Sequence, residues 1–412
     1  MLTVDEAQRI VLQSVPQLPA ERVPLLDALG CTLSEQVVAD LDLPPFDNSA
    51  MDGYAVVAAD TSGATPENPR ALKVVEDLPA GAAPARRVEP GTAARIMTGA
   101  PIPPGADAVV MVERTRPGGP GSVAVLEPAA AGDNIRPAGE DIRRGELALS
   151  PGEVLGPGEM ALLAALGRTS VAVTRRPRAS VLITGSELVA PGQPLEHCSL
   201  PAGAIYDSNA TLMAARLMSA GARVDRCLHA ADDERAVEEA LRDCADSDIM
   251  LTTGGVSVGQ YDFVKVALQR LGEIKFWRVL MKPGKPVAFG TVLGRPLFGL
   301  PGNPVSALVT FELLVAPALR KMMGRKDCLP PTVHAVLLSD IDHKPGRREY
   351  RQAVTRATDD GYVVQASEKR GSAMLTSTVG ANSLVVIPEP SPGLRAGEKV
   401  TVIYPAYLDW LP

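Results

Sequence analysis

Apolar and polar positions follow two different periods along this chain, and the changes of period mark its segments. Behind Thr3 and Glu6, spaced as a capping box, Ala7, Ile10, Val11 and Ser14 recur at helical spacing, so the chain opens on an amphipathic helix. A second helix is expected over about 26–39. Leu43-Pro44-Pro45-Phe46 cannot continue it, and from residue 53 to about 136 short alternating apolar runs are separated by proline and glycine clusters, the pattern of a small β-rich domain. Pro117-Gly118-Gly119-Pro120-Gly121 reads as a turn inside that domain. Pro157-Gly158-Glu159-Met160 then starts a helix ending at Gly167, and Ser170-Val171-Ala172-Val173 is strand-like. If this segment packs back on the N-terminal helices, the β-rich stretch is an insertion.

The clearest alternation runs from 177 to 325. Strands are expected at 181–184, 249–253, 276–281, 286–290 and 296–300, and helices at 212–220, about 236–244, 262–271 and after Asn303-Pro304. Alternation of this kind implies a mainly parallel sheet flanked by helices, with ligands at the carboxyl ends of its strands. Beyond it, strand-like runs at 333–338, 362–364, 384–387 and 400–403 suggest a small antiparallel barrel or sandwich. The fold class is therefore multidomain α/β plus β. The expected divisions are a discontinuous helical linker domain (1–42 and 138–176), an inserted β-rich domain (43–137), the α/β domain (177–326) and a C-terminal small β-barrel (327–412).

Composition narrows the chemistry. At 412 residues the chain exceeds a single core, and no apolar run approaches the ~20 residues that span a bilayer. The first residues lack the basic flank and apolar stretch of a secretory signal, so a cytoplasmic protein without a membrane association is expected. The cysteines (31, 198, 227, 244, 328) and histidines (197, 229, 334, 343) show no zinc-ligand spacing, and the adjacent His197-Cys198 has nothing nearby to orient a base. A net charge of −7 and 4% aromatic residues argue against nucleic-acid binding, so an anionic ligand must meet a local positive cluster.

Such a cluster is present in outline. The strand Ile249 to Thr253 runs into Gly254, Gly255 and Gly259, which let bare N–H groups approach an anion, and Asp262 comes next. Glu187, Asp207 and Asp262 fall at strand-to-loop or loop-to-helix positions, where Mg²⁺ held with phosphate takes its carboxylates; Asp207 and Asp262 equally suit helix capping. Asp248, at the other end of its strand, reads as structural. Lys282-Pro283-Gly284-Lys285-Pro286 sets two ammonium groups on a stiffened chain, suited to an anion or to a solvated turn. Gly299 to Ser306 ends a strand and opens a helix, whose free N–H groups are expected to face outward.

Taken in order, Ser49-Ala50-Met51-Asp52-Gly53-Tyr54-Ala55, the Thr98 loop, Gly139-Glu140-Asp141, Tyr206-Asp207-Ser208-Asn209, Gly254 to Gly259, Lys282 to Pro286, Gly299 to Ser306, Arg348-Glu349-Tyr350-Arg351 and Gly371-Ser372 resemble successive motifs of the molybdopterin molybdenumtransferases, the MoeA proteins and the E domain of gephyrin. The resemblance spans nearly the whole chain. It implies an elongated homodimer that converts adenylylated molybdopterin and molybdate into molybdenum cofactor with Mg²⁺-dependent release of AMP. Carried over by position, Asp207, Asp262 and Glu187 serve the metal and nucleotide phosphate, while Lys282, Lys285, Arg351 and Ser372 form the anion site. Gly254, Gly255, Gly259, Pro286, Pro301, Gly302 and Asn303 line the substrate, and Ser257 and Ser306 mark where molybdate enters. Asp52, Thr98 and Asp141 approach from the other subunit. Passing contacts with the adenylyltransferase and with molybdoenzymes are also implied. Two departures stand out: Gln260, where an acid is frequent, and a longer loop over 195–204. The adenylyltransferase acting one step earlier shares the α/β domain type but usually lacks the flanking regions, and a gephyrin-like scaffold would not need the acids and lysines.

Overall fold

A computed structural model of the chain describes residues 1–192, 200–255 and 263–404. Its centre is a six-stranded sheet in the order Arg223–Ala230, Arg178–Thr184, Ile249–Thr253, Arg295–Leu300, Ala288–Val292, Gly272–Trp277, the first four mutually parallel and Ala288–Val292 antiparallel to both of its neighbours. Both faces are covered, which is why the inner strands read as unbroken apolar runs. Val181, Ile183, Leu251 and Phe298 face one layer, containing the Asn209–Ser219 helix and the helical run from Pro304 to Met322; Leu182, Met250 and Leu297 face the other, with Val237, Leu241, Val264 and Leu268 of two further helices. The strand at Arg223–Ala230 has no counterpart among the expected elements. Its alternating exposed positions lie at the sheet edge, where burial is too incomplete to leave an apolar signature.

The opening helix, Val4–Ser14, carries the expected capping box, with Thr3 Oγ1 accepting from the Glu6 N–H at 3.2 Å and Glu6 Oε2 from the Thr3 N–H at 2.8 Å. Its location differs from the expected linker domain. Val4, Ala7 and Val11 are buried in the α/β core together with Leu314 and Ala318, because that layer supplies the apolar surface this helix needs. The helix expected over 26–39 does not form. A single 3₁₀ turn, Leu25–Ala28, is followed by Gly30 at φ 74°, and the β-branched Thr32 and Val37-Val38 enter short antiparallel pairs with Ser170–Thr174 and Leu147–Leu149. These strands and the Pro157–Ala165 helix enclose a core of their own around Leu33, Leu155 and Leu163.

From this base the chain leaves and returns along a two-stranded stem, Asn48–Ser49 paired with Ile135–Arg136, reinforced by the Leu43 to Ile142 bridge. Between the two stem strands lies a second six-stranded sheet with buried apolar residues on both faces. At the C-terminal end, Arg348–Thr358, Gly361–Ala366, Thr332–Leu337, Lys399–Ile403 and Ser383–Ile387 close into a five-stranded barrel, antiparallel except for one pair. The barrel is not isolated. Met281–Lys282, from the α/β region, pairs in parallel with Arg348 and Glu349, so the two domains share backbone hydrogen bonding. Among the described residues, no helix is long and apolar enough to cross a membrane.

Candidate active site

The carboxyl ends of Arg178–Thr184, Ile249–Thr253 and Arg295–Leu300 open into a cavity of about 890 Å³, closed on its far side by the barrel strand Arg348–Thr358 and the loop around Ser372. This volume suits a nucleotide-sized ligand. Glu187, Asp207, Gly254, Gly255, Lys282, Lys285, Pro286, Pro301, Gly302, Asn303, Ser306, Arg351 and Ser372, all singled out from sequence, line it. Ser257, Gly259 and Asp262, with Gln260, lie outside the described residues.

The glycine turn is sterically obligatory. Gly254 has φ +88°, and a Cβ there would stand 2.6 Å from the Thr184 carbonyl oxygen; Gly255 has φ +62°, and its Cβ would meet Val264 at 2.9 Å. Any side chain would push the loop off the strand end it abuts. The neighbouring helix start is tied down rather than open. Asn209 Nδ2 donates to the Gly302 carbonyl at 2.6 Å, Asn303 Nδ2 to Ser372 Oγ at 3.0 Å, and the Val305 N–H to the Ser372 carbonyl at 3.1 Å. The Val305 amide is therefore not one of the free N–H groups expected at this helix start; the barrel loop has taken it.

Asp207 combines both roles that its sequence position allowed. Its side chain is buried, and Oδ1 caps the following helix by accepting from the Ala210 N–H at 3.0 Å. The other oxygen, Oδ2, has no hydrogen-bond donor, although His229 Nε2 stands 3.3 Å away in a poor orientation. A buried carboxylate oxygen left without a donor is costly unless something cationic completes it, and Mg²⁺ beside phosphate needs only one or two carboxylates. The donor set fits such an ion on that ground. Among the described residues, however, no three acidic, histidine or cysteine side chains converge.

The opposite wall is cationic. Lys282, Lys285, Arg347, Arg351, Lys369 and Arg370 line the cavity against the carboxylates of Glu187, Asp207 and Glu349. Two of the cations are paired: Lys282 Nζ donates to Glu349 Oε2 at 2.9 Å, and Arg351 Nη2 donates to Glu349 Oε1 at 2.7 Å. Burial alone would raise the Glu349 carboxyl, but hydrogen bonds from Arg351 and Lys282 prevail and hold it below the usual carboxylate range. Lys285 has no ion-pair partner among the described residues. Arg347, Lys369 and Arg370 add to the expected cations, and Glu349 has a role here beyond the expected site residues. The available signal was the charged pair at 349 and 351, two residues apart on a strand and hence on one face.

Asp52, Thr98 and Asp141 are not among the described residues that line this cavity. Asp52 and Thr98 meet elsewhere, in the inserted domain, while the Asp141 N–H donates to the Leu43 carbonyl at 2.9 Å beside the stem. Asp52 Oδ1 accepts from both the N–H and the hydroxyl of Thr98, at 2.7 and 2.8 Å, and these bonds keep its carboxyl below the usual range. Asp47 Oδ1 accepts from the Ala138 N–H at 2.8 Å, and Gly99 N donates to the Ser49 carbonyl at 2.8 Å. Three polar loops distant in sequence thus form one surface.

Three family models match in succession: the MoeA N-terminal region (domain I and II) over 2–167, a probable molybdopterin binding domain over 180–321, and the MoeA C-terminal region (domain IV) over 334–404. The chain is 44% identical over 412 residues to molybdopterin molybdenumtransferase 2 of Mycobacterium tuberculosis, with 98% of this chain and 99% of the relative covered. It is 36% identical over 406 residues to the molybdopterin molybdenumtransferase of Haemophilus influenzae, with 98% of each covered. A crystal structure of a molybdopterin biosynthesis MoeA protein from Pyrococcus horikoshii superposes with a TM-score of 0.83 at 33% identity, covering 98% of this chain and all (100%) of that one.

Proposed function

Because the chain belongs to the molybdopterin molybdenumtransferase family, we propose that its cavity takes adenylylated molybdopterin and molybdate and yields molybdenum cofactor with release of AMP. The protein is a transferase of molybdenum cofactor biosynthesis. The observation that carries the substrate reading is the cation-lined cavity at the strand ends of a chain whose net charge is −7. Both proposed substrates are anions, and local cations offset the overall repulsion.

Within that reading, Lys282, Lys285, Arg351 and Ser372 hold the oxyanion, and the backbone at Gly254 and Gly255 lies against the nucleotide phosphate. Asp207 and Glu187, with Asp262, would hold Mg²⁺. When bound, the ion supplies charge neutralisation at the phosphoanhydride oxygens. The tied helix start at Asn303 and the rigid glycine turn keep these groups in place before substrate arrives, which is where electrostatic catalysis gains most. Ser306, buried at that helix start, borders the route for molybdate.

The protein is further proposed to act in the cytoplasm as a homodimer in which Asp52 of the partner subunit, Thr98 of the partner subunit and Asp141 of the partner subunit complete the cleft. Support comes from the joint surface those loops form away from this chain's own cavity. The test is to incubate the purified protein with adenylylated molybdopterin, Mg²⁺ and molybdate and to quantify AMP chromatographically. AMP release that depends on molybdate is expected; its absence with folded protein overturns the reading.

A further inference from the structure

Among the described residues, Glu349 is the one acid on the cationic wall, and its surroundings are unusual for a cavity meant to hold anions. Its side chain is 6% exposed, and each carboxylate oxygen is committed to a different cation. Oε2 takes Lys282 Nζ at 2.9 Å, and Oε1 takes Arg351 Nη2 at 2.7 Å and Nε at 3.3 Å. Parallel backbone pairing of Lys282 with Glu349 fixes the first contact at its root. Behind the carboxylate stands His343, its side chain 1% exposed, with Nδ1 2.9 Å from the Ser391 carbonyl. A carbonyl only accepts, so Nδ1 carries the hydrogen; Nε2 has no hydrogen-bond partner and lies 3.8 Å from Glu349 Oε2. The buried imidazole thus lies beside the carboxylate without bonding to it.

We propose that Glu349, backed by His343, is a positioning residue that clamps Lys282 and Arg351 into one preorganised pair for the incoming oxyanion. The inference rests on the proposed function, and it deepens it by naming what orders the anion site. Two opposing effects are at stake. Removing the charge of Glu349 leaves the wall more positive, which favours anions, but it also releases two cations that repel each other. Lysine is a flexible point charge on a four-carbon stem, and Arg351 loses the partner of its planar fork. Preorganisation wins because donors already aimed at the ligand need no rearrangement, whereas freed side chains must be reordered on every binding event.

The test uses full-length Glu349→Gln and Glu349→Asp. Molybdate and sulfate are titrated calorimetrically without nucleotide substrate, AMP release is measured against molybdate concentration, and thermal unfolding is recorded for each protein. Glu349→Gln is expected to weaken binding of both anions by on the order of tenfold and to raise the KM for molybdate equally, with kcat at saturation within about threefold of wild type. Glu349→Asp retains the charge at shorter reach and is expected to fold as wild type with a loss of about threefold. This second variant decides the matter if Glu349→Gln does not fold. Binding by either folded variant that equals or exceeds wild type overturns the proposal. So does a fall in kcat and melting temperature with unchanged KM, the mark of a purely structural residue. Should wild type bind molybdate yet release no AMP, the reaction is wrong while the binding arms still judge Glu349.

Discussion

Asn303 and Ser372 belong to different domains and meet across the cavity, Asn303 Nδ2 donating to Ser372 Oγ at 3.0 Å while the Ser372 carbonyl receives the Val305 N–H. One bond is made by a side chain and the other by backbone, so they separate experimentally. Ser372→Ala removes only the hydroxyl. It is expected to cost about 1 kcal/mol or less in stability while raising the KM for molybdate several-fold, as read by urea unfolding and AMP-release kinetics.

The glycine turn offers a contrast between neighbours. Gly254→Ala places a Cβ against the Thr184 carbonyl at positive φ, and a stability loss of about 1–3 kcal/mol with collapse of activity is expected. Gly302 faces the same turn, but a methyl group there would have Gly254 Cα as its nearest neighbour, at 3.7 Å, so Gly302→Ala should fold normally. Parallel unfolding curves decide this.

Asp207→Asn retains the cap on the Ala210 N–H but removes the charge from the buried oxygen that lacks a donor. Stability within about 0.5 kcal/mol of wild type is expected, together with a much higher Mg²⁺ requirement for AMP release. Asp207→Ala loses the cap as well and should cost about 1 kcal/mol. An unchanged Mg²⁺ requirement in Asp207→Asn would leave this residue a helix cap alone.

Asp248, as expected from its place before the strand, is structural. It is buried and accepts from both terminal nitrogens of Arg175, at 2.5 and 2.6 Å, and from the Arg178 N–H at 2.8 Å. Burial pulls its carboxyl upward, but the hydrogen bonds from Arg175 and Arg178 outweigh it, and the folded value lies below the unfolded one. The stability this group supplies is therefore present above its unfolded value, about 3.9, and disappears as pH falls through the folded value. Asp248→Ala is expected to lose about 3 kcal/mol at neutral pH and to show a flatter acid limb than wild type in pH-dependent thermal unfolding.

Asp52→Ala and Lys285→Ala test the proposed shared cleft. Each alone should be inactive and folded. Mixing them under conditions that exchange subunits should restore about a quarter of wild-type activity, because heterodimers contain one intact site. No recovery despite verified exchange would place both residues in one subunit's site.

What could be read from the chain tracks burial. Strands at Arg178–Thr184 and Ile249–Thr253 are covered on both sides, so their apolar runs announce them and, with them, the cavity at their ends. The barrel strand Arg348–Thr358 is the longest in that domain and was invisible as a strand, because Glu349 and Arg351 are turned toward a ligand cavity rather than into an apolar core. Residues 26–39 misled for the opposite reason: Leu25, Leu26 and Leu29 sit at helical spacing, yet Gly30 stops the turn and strand partners more than a hundred residues away claim Thr32 and Leu33. Tertiary pairing of that range leaves no mark in local spacing. The carboxylates at Glu187 and Asp207 are legible as candidates because loops at strand ends carry chemistry, whereas the two-sided bonding of Glu349 depends on a pairing of Lys282 with the barrel that leaves no mark in local sequence.

The paired stem at Asn48–Ser49 and Ile135–Arg136 has a consequence for how such a protein can change over time. Entry and exit lie side by side, so the module beyond them can lengthen, shrink or swing to a new angle while the host beneath keeps its own register. The reach proposed for Asp52 and Thr98 can therefore be retuned without rebuilding the geometry around Asp207 and Lys282.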